Sequence, residues 1–204
     1  VRLERRMWAG GALRFHAPLH IGDTLRRRTR IGHITEKQGR AGPMVLMTLH
    51  HEILCSGALA VEERQDIVYL DIPKQPVAQK TTPMPNLPTG ALQQVETPET
   101  LLFRFSAMTF NAHRIHYDKT YAQDLEHYPD LVVHGPLQAM MLMQMATKQT
   151  GRVPSDFHFK AIHPMFAGQG LDLVAVEQDG ALDLFTGQNG HQGMQATALW
   201  EGTV

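Results

Sequence analysis

Cysteine is almost missing from this 204-residue chain: Cys55 stands alone. No internal disulfide can form, which favours a reducing compartment and leaves the fold to be held by burial. Cys55 lies in an apolar, strand-like run, where a thiol serves as a small core residue rather than a nucleophile. Charge imbalance is missing too. The formal net charge is -1, which speaks against a nucleic-acid or acidic-membrane partner. The one local exception is Arg26-Arg27-Arg28-Thr29-Arg30. It reads first as the solvated face of a strand, with a contact for a phosphate-bearing ligand as the alternative. No apolar run approaches the roughly 18 residues that a membrane-spanning helix needs. The start, Val1-Arg2-Leu3-Glu4-Arg5-Arg6, has no apolar stretch behind its charges and no initiator Met. The expectation is a processed or truncated cytoplasmic product, in the mitochondrial matrix if the source is eukaryotic.

What is present is a core-sized apolar fraction, 43% of residues, and a clear division. Residues 73–99 hold Pro73, Pro76, Pro83, Pro85, Pro88 and Pro98 among Lys, Gln and Thr, and read as an extended linker. Before it, residues 1–72 read as β. Leu13–Ala17 and Leu25–Ile31 alternate, Met44–Leu54 and Ala58–Tyr69 are long strand candidates, and Gly39-Arg40-Ala41-Gly42 is a hairpin turn. After it, residues 100–204 open with an expected strand, Leu101–Ser106, and a polar, aromatic segment to Pro129. A helix follows from Pro136 and Leu137 to Lys148. Proline suits its first turn, Lys148 its negative end, and Gly151 its stop. Apolar residues nearly encircle it, so burial on most sides is expected. Strands are expected at Phe157–His163, Leu171–Glu177, Ala181–Thr186 and Met194–Trp200.

The halves echo each other. Phe15–Leu25 and Phe159–Leu171 each show an alternating strand, a proline, a short apolar pair, a glycine and a second strand, which suggests an internal duplication. An all-round apolar helix followed by four strands suits a sheet curled around one helix. A first copy would need its own helix ahead of its strands. Its absence from the sequence leads to the expectation that the chain starts inside that copy, with part of the fold missing or supplied by another chain.

Four of the 12 histidines cluster: His113, His116, His127 and His134. Histidine is the usual proton-transfer side chain near neutral pH. Asn111 and Asp118 are close in sequence. His134-Gly135-Pro136 places a glycine amide at the helix start, where N–H groups are unpaired and the dipole is positive. A carbonyl gaining negative charge would be stabilised there.

The stretch Asn111-Ala112-His113-Arg114-Ile115-His116-Tyr117-Asp118, with Tyr128–Leu137, resembles the MaoC-like hydratase family. The similarity is to its branch of type 2 hydroxyacyl-thioester dehydratases and mesaconyl-CoA or itaconyl-CoA hydratases. Arg5–Gly11 and Gln65–Tyr69 resemble the N-terminal half of that branch. The resemblance implies an α+β hot-dog fold in two tandem copies, the first incomplete. It implies hydration or dehydration of a 2-enoyl thioester on coenzyme A or an acyl carrier protein. No metal or redox cofactor is implied, and a homodimer is.

Laid on this sequence, the family's hydratase motif (Asp, any residue, Asn, Pro, an aliphatic residue, His) puts its His on His116. Its Asp falls on Asn111, its Asn on His113 and its Pro on Arg114. Asn111 departs from the pattern: an amide can orient a water or an imidazole but cannot take a proton. The base role then rests on His116, alone or shared with Asp118 or His113. Gly135 maps onto the oxyanion donor. His134 is a possible support, and Arg114 pairs with a carboxylate of the protein or of the substrate. Metal binding by His113, His116 and His134 is the weaker reading, because no further ligand completes a site. Two other functions remain open. A hot-dog thioesterase would share the oxyanion site but use a carboxylate near the helix to attack or activate water, and the helix itself offers none between Gly135 and Thr150. A non-catalytic acyl-thioester binding subunit draws its only support from Asn111.

Overall fold

The computed structural model describes residues 3–39, 42–73, 75, 81–86 and 92–201. The first region forms four antiparallel strands, β1 (Arg5–Phe15), β2 (Leu25–Gly39), β3 (Gly42–Cys55) and β4 (Ala58–Leu70). Two-residue turns with positive φ at both centres match the twist of paired strands. They occur at Ser56-Gly57, Asp179-Gly180 and Asn189-Gly190. Gly39 pairs with Gly42 across the expected β2–β3 turn, whose central Arg40 and Ala41 lie outside the described residues.

Past residue 73, Leu92–Val95 form β5, a short strand paired with β7. The expected strand at Leu101–Ser106 is instead the middle of a helix, α1 (Glu99–Thr109). Its two buried residues are Leu102 and Ser106, four apart, as one helical face requires. Phe103 and Met108 stay exposed, so the apparent alternation of apolar residues does not describe what is buried. A 3₁₀ turn at Arg114–His116 and a π-helical turn at Tyr121–Leu125 follow. The long helix is α2 (Gly135–Thr150), with proline in its first turn. It ends where expected: Gly151 takes φ 70 and its N–H reaches Thr147 O at 2.8 Å. The last strands are β6 (Asp156–Ala161), β7 (Leu171–Gln178), β8 (Ala181–Gln188) and β9 (His191–Leu199).

All nine strands form one sheet in the order β2-β3-β4-β1-β6-β9-β8-β7-β5. In each set of four, the first strand lies beside the fourth, the fourth beside the third and the third beside the second. The two sets meet through antiparallel β1 and β6. The matching segments Phe15–Leu25 and Phe159–Leu171 both join a first strand to a second, so the repeated topology agrees with the repeated sequence.

The core belongs mainly to the second set. Leu137, Leu142 and Ala146 of α2 pack with Phe157, Leu171, Leu184 and Met194 of the sheet, and Trp8, Leu13 and Phe15 of β1 join them. Each large apolar side chain buried this way stabilises by about 1.5–3 kcal/mol. Among the described residues, those from Arg5 to Leu70 form strands and turns without a helix, and Ile31 and Ile34 of edge strand β2 are exposed. Cys55 is half-buried at the end of β3 rather than in the core, and burial together with Asp23 pushes its thiol pKa up. Arg28, from the basic run, pairs with Glu52 at 2.8 Å on the exposed sheet.

Candidate active site

A cavity of about 450 Å³ opens where the two sets of strands part. β6 pairs only with Gly10–Arg14 of β1. Residues 5–9 of β1 run past that junction, and Arg5–Trp8 pair with β4 alone. A register shift between Trp8 and Gly10 leaves Ala9 as an extra residue. Such a bulge re-aims side chains, and all of Arg5–Ala9 line the cavity. Opposite them stand His116, the start of α2, and the Ala161–Pro164 segment that leaves β6.

His116 is buried, 7% exposed. Its turn is tied to the strand-like segment ahead of α2: Val132 N–H donates to Ile115 O at 2.9 Å, and His116 Nδ1 lies 2.7 Å from Val132 O. A carbonyl only accepts, so Nδ1 carries the proton and Nε2 keeps its lone pair. The ring stacks on His134, with centroids 3.7 Å apart and planes 16° off parallel. His134 is fully buried and its Nε2 is 2.8 Å from Ser106 Oγ of α1. Burial pushes the His116 pKa down to about 4, with His113 adding to the shift against the raising effect of the Val132 carbonyl. Burial, then His116 and His113, pushes His134 down to about 3. Both rings are neutral near pH 7, and His116 is set as an acceptor.

Gly135 opens α2 on the cavity wall. The first N–H groups of a helix have no partner within it. A Cβ added at Gly135 would meet only Met194 Cε, at 3.9 Å, and Met194 also lines the cavity. That is an ordinary van der Waals contact. Behind it, buried Gln138 accepts from Thr186 Oγ1 at 2.6 Å and donates to Val133 O at 3.3 Å, fixing the first turn against β8.

The residues singled out from sequence divide into two groups. His116, Asn111, His113 and Gly135 line one cavity. Asn111 Oδ1 accepts from the His113 N–H at 3.1 Å, which shapes the loop before the 3₁₀ turn. His134 supports His116 from behind. Arg114 and Asp118 pair with each other at 2.7 Å, and Arg114 lies over the Tyr121 ring, both away from the cavity lining. Arg114 thus meets a carboxylate of the protein. His116 and His134 stack face to face, and one nitrogen of each is already hydrogen-bonded, so His113, His116 and His134 do not converge on a metal ion. No such group of three ligands occurs among the described residues.

Sequence reasoning missed Arg5 and Glu126. Glu126 is 2% exposed and lines the cavity. Arg5 Nε lies 2.8 Å from its Oε2, off the N–H axis, so the contact is an ion pair without an aligned hydrogen bond. Arg5 also covers the Tyr128 ring at 4.9 Å. Burial lowers the Arg5 pKa while Glu126 opposes that shift. The available signals were the Arg5-Arg6-Met7-Trp8 motif and the position of Glu126 inside the histidine cluster.

A duplicated sheet packed on one face of a long helix, with a neutral imidazole stacked on the residue that caps that helix, is a double hot-dog fold with a cavity at the helix start. The comparisons agree. The family model for hydroxyacyl-thioester dehydratase type 2 matches residues 1–167. The mesaconyl-C(4)-CoA hydratase of Chloroflexus aurantiacus is 45% identical over 192 residues, covering 88% of this chain and 68% of that protein. The crystal structure of HtdX from Mycobacterium tuberculosis superposes with TM-score 0.75 at 17% identity, over 96% of this chain and 76% of that one. A second protein of that organism, described as a double hot-dog fold, gives TM-score 0.61 at 16% identity over 97% and 74%. The chain belongs to the type 2 hydroxyacyl-thioester dehydratase family, and its activity is that of a hydratase/dehydratase acting on an enoyl thioester. Among the described residues no helix is long and apolar enough to cross a membrane.

Proposed function

We propose that His116 is the general base of a reversible hydration and that the Gly135 N–H holds the thioester oxygen. The observation that carries this reading is the fixed tautomer of His116, whose Nδ1 is taken by the Val132 carbonyl at 2.7 Å. Nε2 takes a proton from water as the water oxygen bonds to the β-carbon. The electron pair of the double bond moves toward the thioester oxygen, where the helix start stabilises negative charge. The α-carbon then takes the proton from His116 Nε2, and the ring returns to its neutral form. Dehydration is the reverse. Holding water, imidazole and polarised double bond together supplies the orientation that free solution lacks. Every step uses side-chain and backbone groups, and coenzyme A enters as part of the substrate.

The acyl group we propose is short, branched and dicarboxylic, of the mesaconyl type. Two features support this: the 45% identical relative is named for that substrate, and Arg6 lines the cavity beside Arg5. Arg5 is already paired with Glu126. A free carboxylate on the acyl chain would find its counter-charge at Arg6.

Spectrophotometry with mesaconyl-CoA and crotonyl-CoA tests both parts. The expected result is loss of enoyl absorbance with both, and a higher kcat/KM for mesaconyl-CoA. Release of free thiol would make the protein a thioesterase, and binding without turnover would make it a carrier subunit. His116→Ala is expected to lower kcat at least about a hundredfold, the scale of a lost general base, with an unchanged circular dichroism spectrum. Near-parental turnover in that variant would sink the assignment.

A further inference from the structure

Glu126 is the buried carboxylate of the cavity, and the proposed mechanism leaves it unused. Both of its oxygens are sealed from solvent and lack an aligned hydrogen bond. A buried charge left that way costs several kcal/mol unless something compensates it. Arg5 Nε at 2.8 Å supplies part of the compensation. Tyr121 also interacts with the carboxylate: burial, then Glu126, raises the Tyr121 pKa. A further neighbour is His113, whose Nε2 lies 3.9 Å from Glu126 Oε1, beyond direct hydrogen-bond reach.

The backbone around Glu126 is unusual in two ways. Its N–H closes the π-helical turn onto Tyr121 O at 3.2 Å. The next residue, His127, is held at φ 58, a region that non-glycine residues rarely adopt. Together these turn one side chain of the segment inward between β1 and the histidines. His113 in turn presents its ring edge-on to His116, with centroids 5.5 Å apart and planes at 82°, and both rings line the cavity.

We infer that Glu126 is a positioning residue that acts through His113, and that His113 orients the water from which His116 takes a proton. The deduction rests on the reading of His116 as the base. A water between the two rings donates one proton toward His116 Nε2 and is held by a ring nitrogen of His113. Glu126 fixes which way the His113 ring faces. Arg5 balances the carboxylate from the other strand set, so the water site is completed only where β1 crosses the histidine cluster. No bond is made or broken at Glu126 itself.

The test is steady-state hydration of mesaconyl-CoA by Glu126→Gln, His113→Gln and the double variant, with His116→Ala as reference. Each single change is expected to lower kcat at least tenfold and to leave KM within threefold. The double variant is expected to lose no more than the worse single one, because both act on one water. A purely structural role for Glu126 would lower the melting temperature and give losses that multiply with those of His113. Multiplying losses, or an E126Q kcat within threefold of the parent, overturn the inference. If E126Q does not fold, Arg5→Met/Glu126→Gln removes both buried charges together. The same tenfold fall in kcat supports the inference there, and parental kcat overturns it. A parent enzyme that hydrates no enoyl thioester would instead refute the reading of His116. A dead H116A beside an active E126Q would refute only the role of Glu126.

Discussion

Two imidazoles stacked 3.7 Å apart can share a buried site only while both are uncharged. That condition sets a pH dependence of stability. Unfolded histidine titrates near 6.5, whereas His116 and His134 are lowered to about 4 and about 3 in the fold. Below the unfolded value, the unfolded chain binds protons that the folded one refuses. Their contribution is therefore complete above about pH 6.5 and is lost as pH falls toward 4 for His116 and 3 for His134. Over that window the pair accounts for a few kcal/mol. Urea midpoints are expected to fall steadily between pH 7 and pH 4.5, and His134→Gln to flatten the decline. A parental slope in that variant would mean that other groups drive the acid transition. At this scale the sequence was partly legible. His116 and Gly135 stood out through the histidine cluster, the glycine at the helix start and the family motif that falls on them. Glu126 did not, because its significance depends on Arg5, 121 positions earlier in the chain, and no local pattern couples the two.

Among the elements, α2 was the easiest to foresee. Proline at its start, glycine at its end and an apolar body all point one way. α1 was read as a strand because Leu101, Phe103 and Phe105 alternate with other residues. The pair that is buried, Leu102 and Ser106, follows the helical period instead, and Ser106 has a specific partner in His134. Sequence alternation cannot reveal that a small polar residue is buried for the sake of a distant ring. The start of α2 yields a separate prediction. Gly135→Ala places a methyl group 3.9 Å from Met194 Cε, an ordinary contact, and alanine is the better helix former. The variant is expected to melt at or slightly above the parental temperature while kcat/KM falls at least tenfold. Unchanged kinetics would show that the thioester does not approach this helix start.

The whole molecule depends on one junction. β1 and β6 hold the two strand sets together over Gly10–Arg14, and the space at that seam is exhausted. A Cβ on Gly10 would lie 2.7 Å from Phe159 O, and one on Gly11 2.7 Å from Arg64 O, both backbone atoms that cannot move aside. Gly10→Val is expected to destabilise by several kcal/mol through this overlap, the scale of severe overpacking. Thermal melting checks it: a midpoint within a few degrees of the parent would mean that the seam can yield. The duplication was visible in outline from Phe15–Leu25 and Phe159–Leu171. That the copies fuse edge to edge, and that the seam opens into the cavity, depends on contacts between strands 140 or more positions apart and has no local signature.

The overhang of β1 beyond that seam separates two kinds of heritable change. The residues proposed to move protons sit on one segment, 111–135, while Arg6, Met7 and Ala9 line the same cavity from another. Substitutions at those three positions can alter which acyl groups are accepted and leave the histidine segment untouched. A lineage could thus shift from one enoyl thioester to another by drift in a few codons of β1, without passing through an inactive ancestor.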